Sequence, residues 1–321
     1  MQAIPTVRYP LYLSSMKYMP VMLAVILMLA CNGRTDRSDD RFWGHRFSQA
    51  HDVSYGERDV QKMDIFCQGT WVGEQQYWQG DRVMHPTLVY IHGGGWLGGS
   101  KDQITPFILP YLERGFNVVT IEYGTGPGTA PRAVDDCMQA LQWINRHAAG
   151  YNIDRNRIVL SGESAGGHLA LITGLLNSIP GSHSGYCGDS LNIAAIVNWF
   201  GITDIAGVDR FYSDRGEPEN YAAIWVGAKS RMDSITANFS PVHRITGDTP
   251  PIITIHGKKD TVVPFAQADL LHKRLAHDGL ENELLSFENG KHLGFSDAEF
   301  SQAYGRIFAF LERQAGVSWQ K

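Results

Sequence analysis

The sequence predicts an α/β fold: a mostly parallel sheet with helices on both faces. Two observations carry that expectation. Short runs rich in Val, Ile and Leu recur along the chain, bounded mostly by Gly, Pro or Asn. Such runs fit strands buried on both faces. Stretches of helical periodicity separate these runs, and strand, helix, strand in alternation implies right-handed crossovers within one sheet.

Taken in order, the stretch His51–Cys67, HDVSYGERDVQKMDIFC, has period-two character and predicts an antiparallel edge hairpin. Buried strands are predicted over Thr87–Ile91, Asn117–Glu122, Arg157–Ser161, Ile193–Trp199, Pro251–His256 and Glu283–Phe287. Helices are predicted over Ala133–His147, Ala165–Leu176, Phe265–His277 and Asp297–Gln314. The first of these carries Ala133, Cys137, Ala140, Leu141 and Ile144 at helical spacing. Residues 205–245 break the rhythm with a long, mixed, aromatic segment. Segments of that length inside a domain carry function or small helices, and a small helical cap insertion is expected here.

With 321 residues the chain can bury a substantial core. Its net charge of −5, with Lys and Arg scattered singly, argues against nucleic acid as a partner. The histidines are dispersed and no zinc-type pairs occur, so no metal site is expected. At the N-terminus, Arg8 and Lys17 precede the apolar run Val21–Ala30, with Cys31 directly after it. The run is shorter than the roughly 20 residues a membrane-spanning helix needs. It has the parts of an export signal. The cysteine after Ala30 resembles the lipidated cysteine of a bacterial lipoprotein signal, although Met28 and Leu29 depart from the usual residues there. The expected organisation is therefore a signal over 1–30, a polar flexible tether over 31–50 with Cys31 as lipidation site, and one α/β domain over 51–321. An ordinary secretory signal cut nearby is the alternative. The expected location is outside the cytoplasm of a bacterium, lipid-anchored at the membrane or periplasmic. Cys67, Cys137 and Cys187 allow at most one internal bridge, and buried free thiols are an equal reading.

The chemistry is concentrated in four stretches. IVLSGESAGGHLA, Ile158–Ala170, places Ser164 between Gly162 and Gly166 just past a strand, a match to G-x-S-x-G. So sharp a turn from strand to helix needs small neighbours and pushes the hydroxyl out above the sheet. The helix opening at Ala165 aims its free N–H groups there. YIHGGGWLGG, Tyr90–Gly99, follows a strand, and its side-chain-free loop can present N–H groups to a substrate oxygen. Gly94, Gly95 and Ala165 are the expected oxyanion donors, His92 a structural anchor and Trp96 a pocket wall. A serine hydroxyl needs a base. His292, in ENGKHLGF, lies in a loop after a strand, whereas His272, His277 and His168 fall in helices. His45, His51, His85 and His183 lie in polar, loop-like sequence. The base needs a carboxylate. Asp260, in IHGKKDTVVP, follows the penultimate strand and fits the order Ser, Asp, His. Asp204, in WFGITD, competes with it, its other reading being a cap or hinge of the insertion.

With HGGGW, GESAGG, HGKKDTVVP and GKHLGF in this order, the chain resembles the α/β-hydrolases from about Ser54 to its C-terminus. It is most similar to carboxylesterases of the hormone-sensitive-lipase-like and bacterial feruloyl or acetylxylan esterase-like groups. The resemblance implies a triad of Ser164, Asp260 and His292, an oxyanion hole of Gly94, Gly95 and Ala165, a small-molecule ester substrate and no cofactor. It departs from the family where EYGTGPGTAPRAV, Glu122–Val134, has Gly124 in place of a basic residue after the tyrosine. A long N-terminal helical cap is also missing, so the acyl and alcohol pockets do not carry over. The expected activity is a serine carboxylesterase acting on short-chain or aromatic-acid esters through an acyl-enzyme. An amidase, peptidase or formamidase-like hydrolase on the same triad, or a silent binding protein of this fold, are the alternatives. Phe211, Tyr212, Tyr221 and Trp225, with Trp199 and Phe200, either wall the acyl pocket or pack in the core.

Overall fold

The computed structural model describes residues 47–68, 71–72, 77–78, 83–102, 105–179 and 191–315. These fall in a compact unit that begins at His45. The expected signal, Cys31, most of the expected tether, Cys187 and His183 lie outside the described residues. Among the described residues no helix is long and apolar enough to cross a membrane.

Strand β1 (Phe47–Ser54) and β2 (Lys62–Gln68) form the expected antiparallel hairpin. β3 (Trp71–Val72) and β4 (Tyr77–Trp78) make a two-stranded ribbon. β5 (His85–Ile91), β6 (Asn117–Ile121), β7 (Ile153–Glu163), β8 (Ile193–Trp199), β9 (Ile252–Gly257) and β10 (Asn282–Phe287) pair in parallel. β2 joins them antiparallel to β6, and the sheet order is β1-β2-β6-β5-β7-β8-β9-β10.

The helices are α1 (Thr105–Leu112), α2 (Arg132–His147), α3 (Ala165–Ser178), α4 (Ile205–Asp214), α5 (Tyr221–Val226), α6 (Lys229–Phe239), α7 (Ala266–His277) and α8 (Asp297–Ala315). Two apolar cores flank the sheet. Val89, Ile91, Val119, Ile121, Leu160 and Ile196 join the core that takes in α2 and α3. The alternate residues Leu88, Tyr90, Val118, Val159 and Val197 join the core that takes in α1 and α8. Successive strand residues thus point to opposite faces, and both faces are covered. That is why the strands read as unbroken apolar runs. α4, α5 and α6 fill the insertion between β8 and β9, matching the expected cap over 205–245.

Three features differ from expectation. β1 starts at Phe47, so residues 47–50, expected as the end of the tether, are strand. Ala50 pairs with Ile65 and packs on the core. α1 is not among the predicted helices, and it carries Pro110 in its interior. Ile108, Tyr111 and Leu112 are buried against the sheet, and that packing outweighs the missing N–H of Pro110. β7 begins four residues before Arg157, where Ile153 pairs with His85. Cys67 and Cys137 are buried free thiols, and burial pushes the Cys67 thiol up to about 12.

Candidate active site

The turn from β7 into α3 is a single residue. β7 ends at Glu163, α3 starts at Ala165, and Ser164 between them has φ 56° and ψ −119°. Left-handed backbone at a non-glycine residue costs energy and here turns the hydroxyl away from the strand. The flanking glycines follow from close approach. A Cβ on Gly162 would lie 2.4 Å from the carbonyl oxygen of Gly166, and one on Gly166 would lie 2.0 Å from that of Ile91. The Ser164 N–H donates to the carbonyl of Trp199 at 2.9 Å, which ties the turn to the end of β8.

The expected base and acid, His292 and Asp260, lie in the loops after β10 and β9, which are adjacent parallel strands. The loops touch. Lys259 N–H donates to the carbonyl of Gly290 at 2.9 Å, and a Cβ on Gly257 would meet the Gly290 carbonyl at 2.3 Å. His292 Nε2 lies 3.0 Å from Ser164 Oγ, and His292 Nδ1 lies 2.7 Å from Asp260 Oδ2. The other acid oxygen, Oδ1, accepts from the N–H groups of Val262 at 2.8 Å and Val263 at 2.9 Å. Burial alone would raise the Asp260 carboxyl. Hydrogen bonds from His256 and His292, the charge of His292 and the Val262 amide outweigh burial and bring it down to about 2. The carboxylate is therefore ionised throughout the neutral range. Phe200 packs edge-on against the His292 ring, with centroids 4.7 Å apart.

The glycine loop follows β5 and meets the end of β7 at Glu163. Gly94 (φ 109°) and Gly95 (φ 62°) occupy backbone that side-chain-bearing residues rarely adopt. Among the described residues their N–H groups donate to no protein acceptor. Ala165 opens α3, where backbone N–H groups have no helical partner. His92 anchors the loop as expected: its Nε2 lies 2.9 Å from Glu122 Oε1, and its carbonyl accepts from Tyr123 Oη at 2.9 Å. Glu163 is a second anchor that sequence reasoning missed. Its Oε1 accepts from Gly93 N–H at 2.6 Å and its Oε2 from Tyr90 Oη at 2.5 Å. Burial pushes that carboxyl up, against those two hydrogen bonds. An acidic residue directly before the serine was the available signal.

Trp96 is not a pocket wall. It is fully buried, stacks on Trp225 at 4.3 Å and donates from Nε1 to His168 Nδ1 at 3.2 Å. The expected aromatic set divides the same way. Trp199, Phe200 and Trp225 are fully buried and Tyr212 nearly so, and Trp199 packs against Phe107, Phe295, Phe300 and Tyr304 in the α8 core. Phe211 and Tyr221 keep partial exposure. Tyr221 bridges two loops of the site: its Cβ would lie 3.4 Å from a Cβ on Gly95, and its hydroxyl donates to the carbonyl of Val262 at 3.3 Å. Asp204 makes no bond to His292. It precedes α4, and its N–H donates to Gln267 Oε1 at 2.7 Å. Gly124, where the resemblance led one to expect a basic residue, is bonded through its backbone. Arg58, from the β1–β2 hairpin, pairs with the buried Asp136, whose Oδ2 accepts from Gly124 N–H at 2.8 Å.

The inserted helices are tied down on both sides. Gly128 N–H donates to the carbonyl of Ile224 at 2.9 Å, Ala130 N–H to that of Trp225 at 3.2 Å, and Arg231 donates to the carbonyls of Gly128, Val226 and Ala130. Across the site, Tyr212 and Tyr221 both donate to the carbonyl of Val262.

Known proteins share this arrangement of elements. The chain is 30% identical over 185 residues to the probable carboxylic ester hydrolase LipM of Mycobacterium tuberculosis, covering 57% of this chain and 43% of that one. Esterase LipC of the same organism is 27% identical over 240 residues, covering 72% and 56%. The chain thus spans about half the length of the curated relatives it matches. Among solved structures, a bifunctional GH43-CE protein of Bacteroides eggerthii superposes with a TM-score of 0.68 at 26% identity, over 84% of this chain and 38% of that one. The BD-FAE family model matches residues 77–275, from the ribbon before β5 through most of α7, and so includes Gly94, Gly95, Ser164 and Asp260. The chain is an α/β-hydrolase-fold protein and belongs to the BD-FAE family.

Proposed function

We propose that this protein is a serine carboxylesterase that hydrolyses esters of short or aromatic acids through an acyl-enzyme. The observation that carries the reading is the continuous relay from Asp260 to His292 to Ser164, at 2.7 and 3.0 Å, together with amides of Gly94 and Gly95 that have no acceptor among the described residues. In this reading His292 takes the proton of Ser164 as the hydroxyl attacks the ester carbonyl. Asp260 holds the imidazole in the Nδ1–H tautomer and stabilises the imidazolium. The amides of Gly94, Gly95 and Ala165 receive the oxyanion, at about 3–4 kcal/mol of barrier for each such donor. His292 then protonates the leaving alcohol, activates water against the acyl-enzyme and returns the proton to Ser164. Every step uses side chains and backbone of this chain.

In this reading the acyl side of the site is compact. Tyr221 stands between the glycine loop and the acid loop, and most of the other aromatic residues are committed to the core. The inserted helices are held by hydrogen bonds on both sides, which argues against a lid that opens at an oil surface. Each methylene that fits gains only about 0.8 kcal/mol, so preference falls abruptly where the pocket ends. With p-nitrophenyl esters of increasing acyl length, kcat/KM is expected to peak at short acids and to fall well before palmitate, with no jump above the solubility limit. A constant still rising at palmitate, with activation on emulsion, would make the protein a lipase.

We further propose that the protein is exported and held to a membrane by a lipid on Cys31, with the catalytic domain on a polar tether. Expressed in a bacterial host, it is expected to fractionate with membranes, and Cys31→Ala to lose lipoprotein processing. Recovery of the wild type as an unlipidated soluble periplasmic protein would overturn this.

A further inference from the structure

The relay leaves one neighbouring histidine without a task. His256, on β9 four residues before Asp260, is fully buried. Its Nε2 lies 2.9 Å from the carbonyl oxygen of Val263 and 3.2 Å from Asp260 Oδ2. A carbonyl oxygen can only accept, so Nε2 carries the ring proton, donates it to Val263 and holds it within 3.2 Å of Asp260 Oδ2. Nδ1 is left as a buried acceptor without a partner among the described residues. The ring sits edge-on to Phe200 and Phe265. Phenylalanine would suit such surroundings and would leave no orphaned nitrogen. What it would lack is the Nε2–H on the acid.

We infer that His256 is a positioning residue for the catalytic acid, holding Asp260 Oδ2 in line with His292 Nδ1 and drawing charge away from that oxygen. The inference rests on the triad reading proposed above. Its geometry is specific. The amides of Val262 and Val263 fix Oδ1. His292 and His256 meet at Oδ2. Val263 closes a short ring, donating to Asp260 with its N–H and accepting from His256 with its carbonyl. The other titratable groups facing the carboxylate are Tyr212 and Tyr221, whose hydroxyls are engaged at the Val262 carbonyl. Lys258 and Lys259, on the same loop, are turned to Glu288 and Asn289.

Sharing Oδ2 between two imidazoles disperses the charge that His292 faces. Without His256 that charge acts on His292 alone, the imidazolium is favoured, and the base takes up its proton at higher pH. The test compares wild type, His256→Phe and His256→Gln in the full chain, with kcat and KM for p-nitrophenyl acetate measured from pH 4 to 9. The acid limb of kcat/KM in His256→Phe is expected to move up by about half a pH unit. Its plateau kcat is expected to fall about tenfold with KM nearly unchanged. His256→Gln, whose amide nitrogen can donate from the same place, is expected to keep the wild-type limb. A folded His256→Phe with an unmoved or lowered acid limb overturns the inference, as does a His256→Gln that shifts equally. Where circular dichroism finds His256→Phe unfolded, His256→Asn, whose shorter amide cannot reach Asp260, carries the same expected upward shift. Absence of ester hydrolysis in the wild type would instead defeat the triad reading itself.

Discussion

Alanine at Ser164 is expected to lower kcat for a soluble p-nitrophenyl ester by about 10⁶-fold, and alanine at His292 by a similar factor. The two losses should not add, because nucleophile and base act as one unit: the hydroxyl is a weak nucleophile until His292 Nε2, 3.0 Å away, takes its proton. The residual rate in either variant reports the amides of the glycine loop and substrate binding alone. Both variants should fold. Ser164 touches the fold mainly through its backbone, whose N–H bonds Trp199 and whose carbonyl accepts from His168 N–H. Circular dichroism together with steady-state kinetics checks both halves of the expectation. A Ser164→Ala protein that retains more than a few per cent of activity would contradict it.

The second large effect falls on the acid. Asp260→Asn is expected to cost about 10⁴-fold in kcat, because an amide beside Nδ1 favours the wrong tautomer of the base. Asp204→Asn is expected to stay within a few-fold of wild type, since the bond that ties this residue to α7 runs from its backbone N–H to Gln267. The Asp260 variant should also lose stability. Val262, Val263, His256 and His292 all offer donors to this carboxylate, and the NH₂ of asparagine would face some of them. Kinetics and thermal melts of the two variants separate the assignments, and the reverse pattern would move the acid to Asp204.

The convergence of Ser164, Asp260 and His292 was legible because each sits in a turn or loop just past a parallel strand, where short apolar runs mark the strand end. β5, β6 and β8 were legible for the same reason: helices cover both faces, so the residues form unbroken apolar runs. The start of β7 was not, because Asp154, Arg155 and Asn156 are polar and partly or wholly exposed there. α1 carries Pro110 in its interior, and burial of Ile108 and Tyr111 decides it. Contacts between distant positions were out of reach altogether. Glu163 reaches back to Gly93, and Arg58 reaches across to Asp136. Trp96 was misread for a related reason. Its neighbours in sequence are glycines of the site, but its exposure is set by Trp225, on a helix inserted after β8.

The central claim is that Ser164 is a nucleophile activated by His292. Treatment with a serine-reactive p-nitrophenyl phosphonate, followed by intact mass and peptide mapping, tests it most directly. The account predicts one adduct per chain, on the peptide carrying Ser164, with stoichiometric release of p-nitrophenol and loss of esterase activity. It also predicts no adduct in Ser164→Ala and sharply slowed labelling in His292→Ala. Labelling at another residue, or a wild-type protein that stays unlabelled while hydrolysing esters, would contradict it.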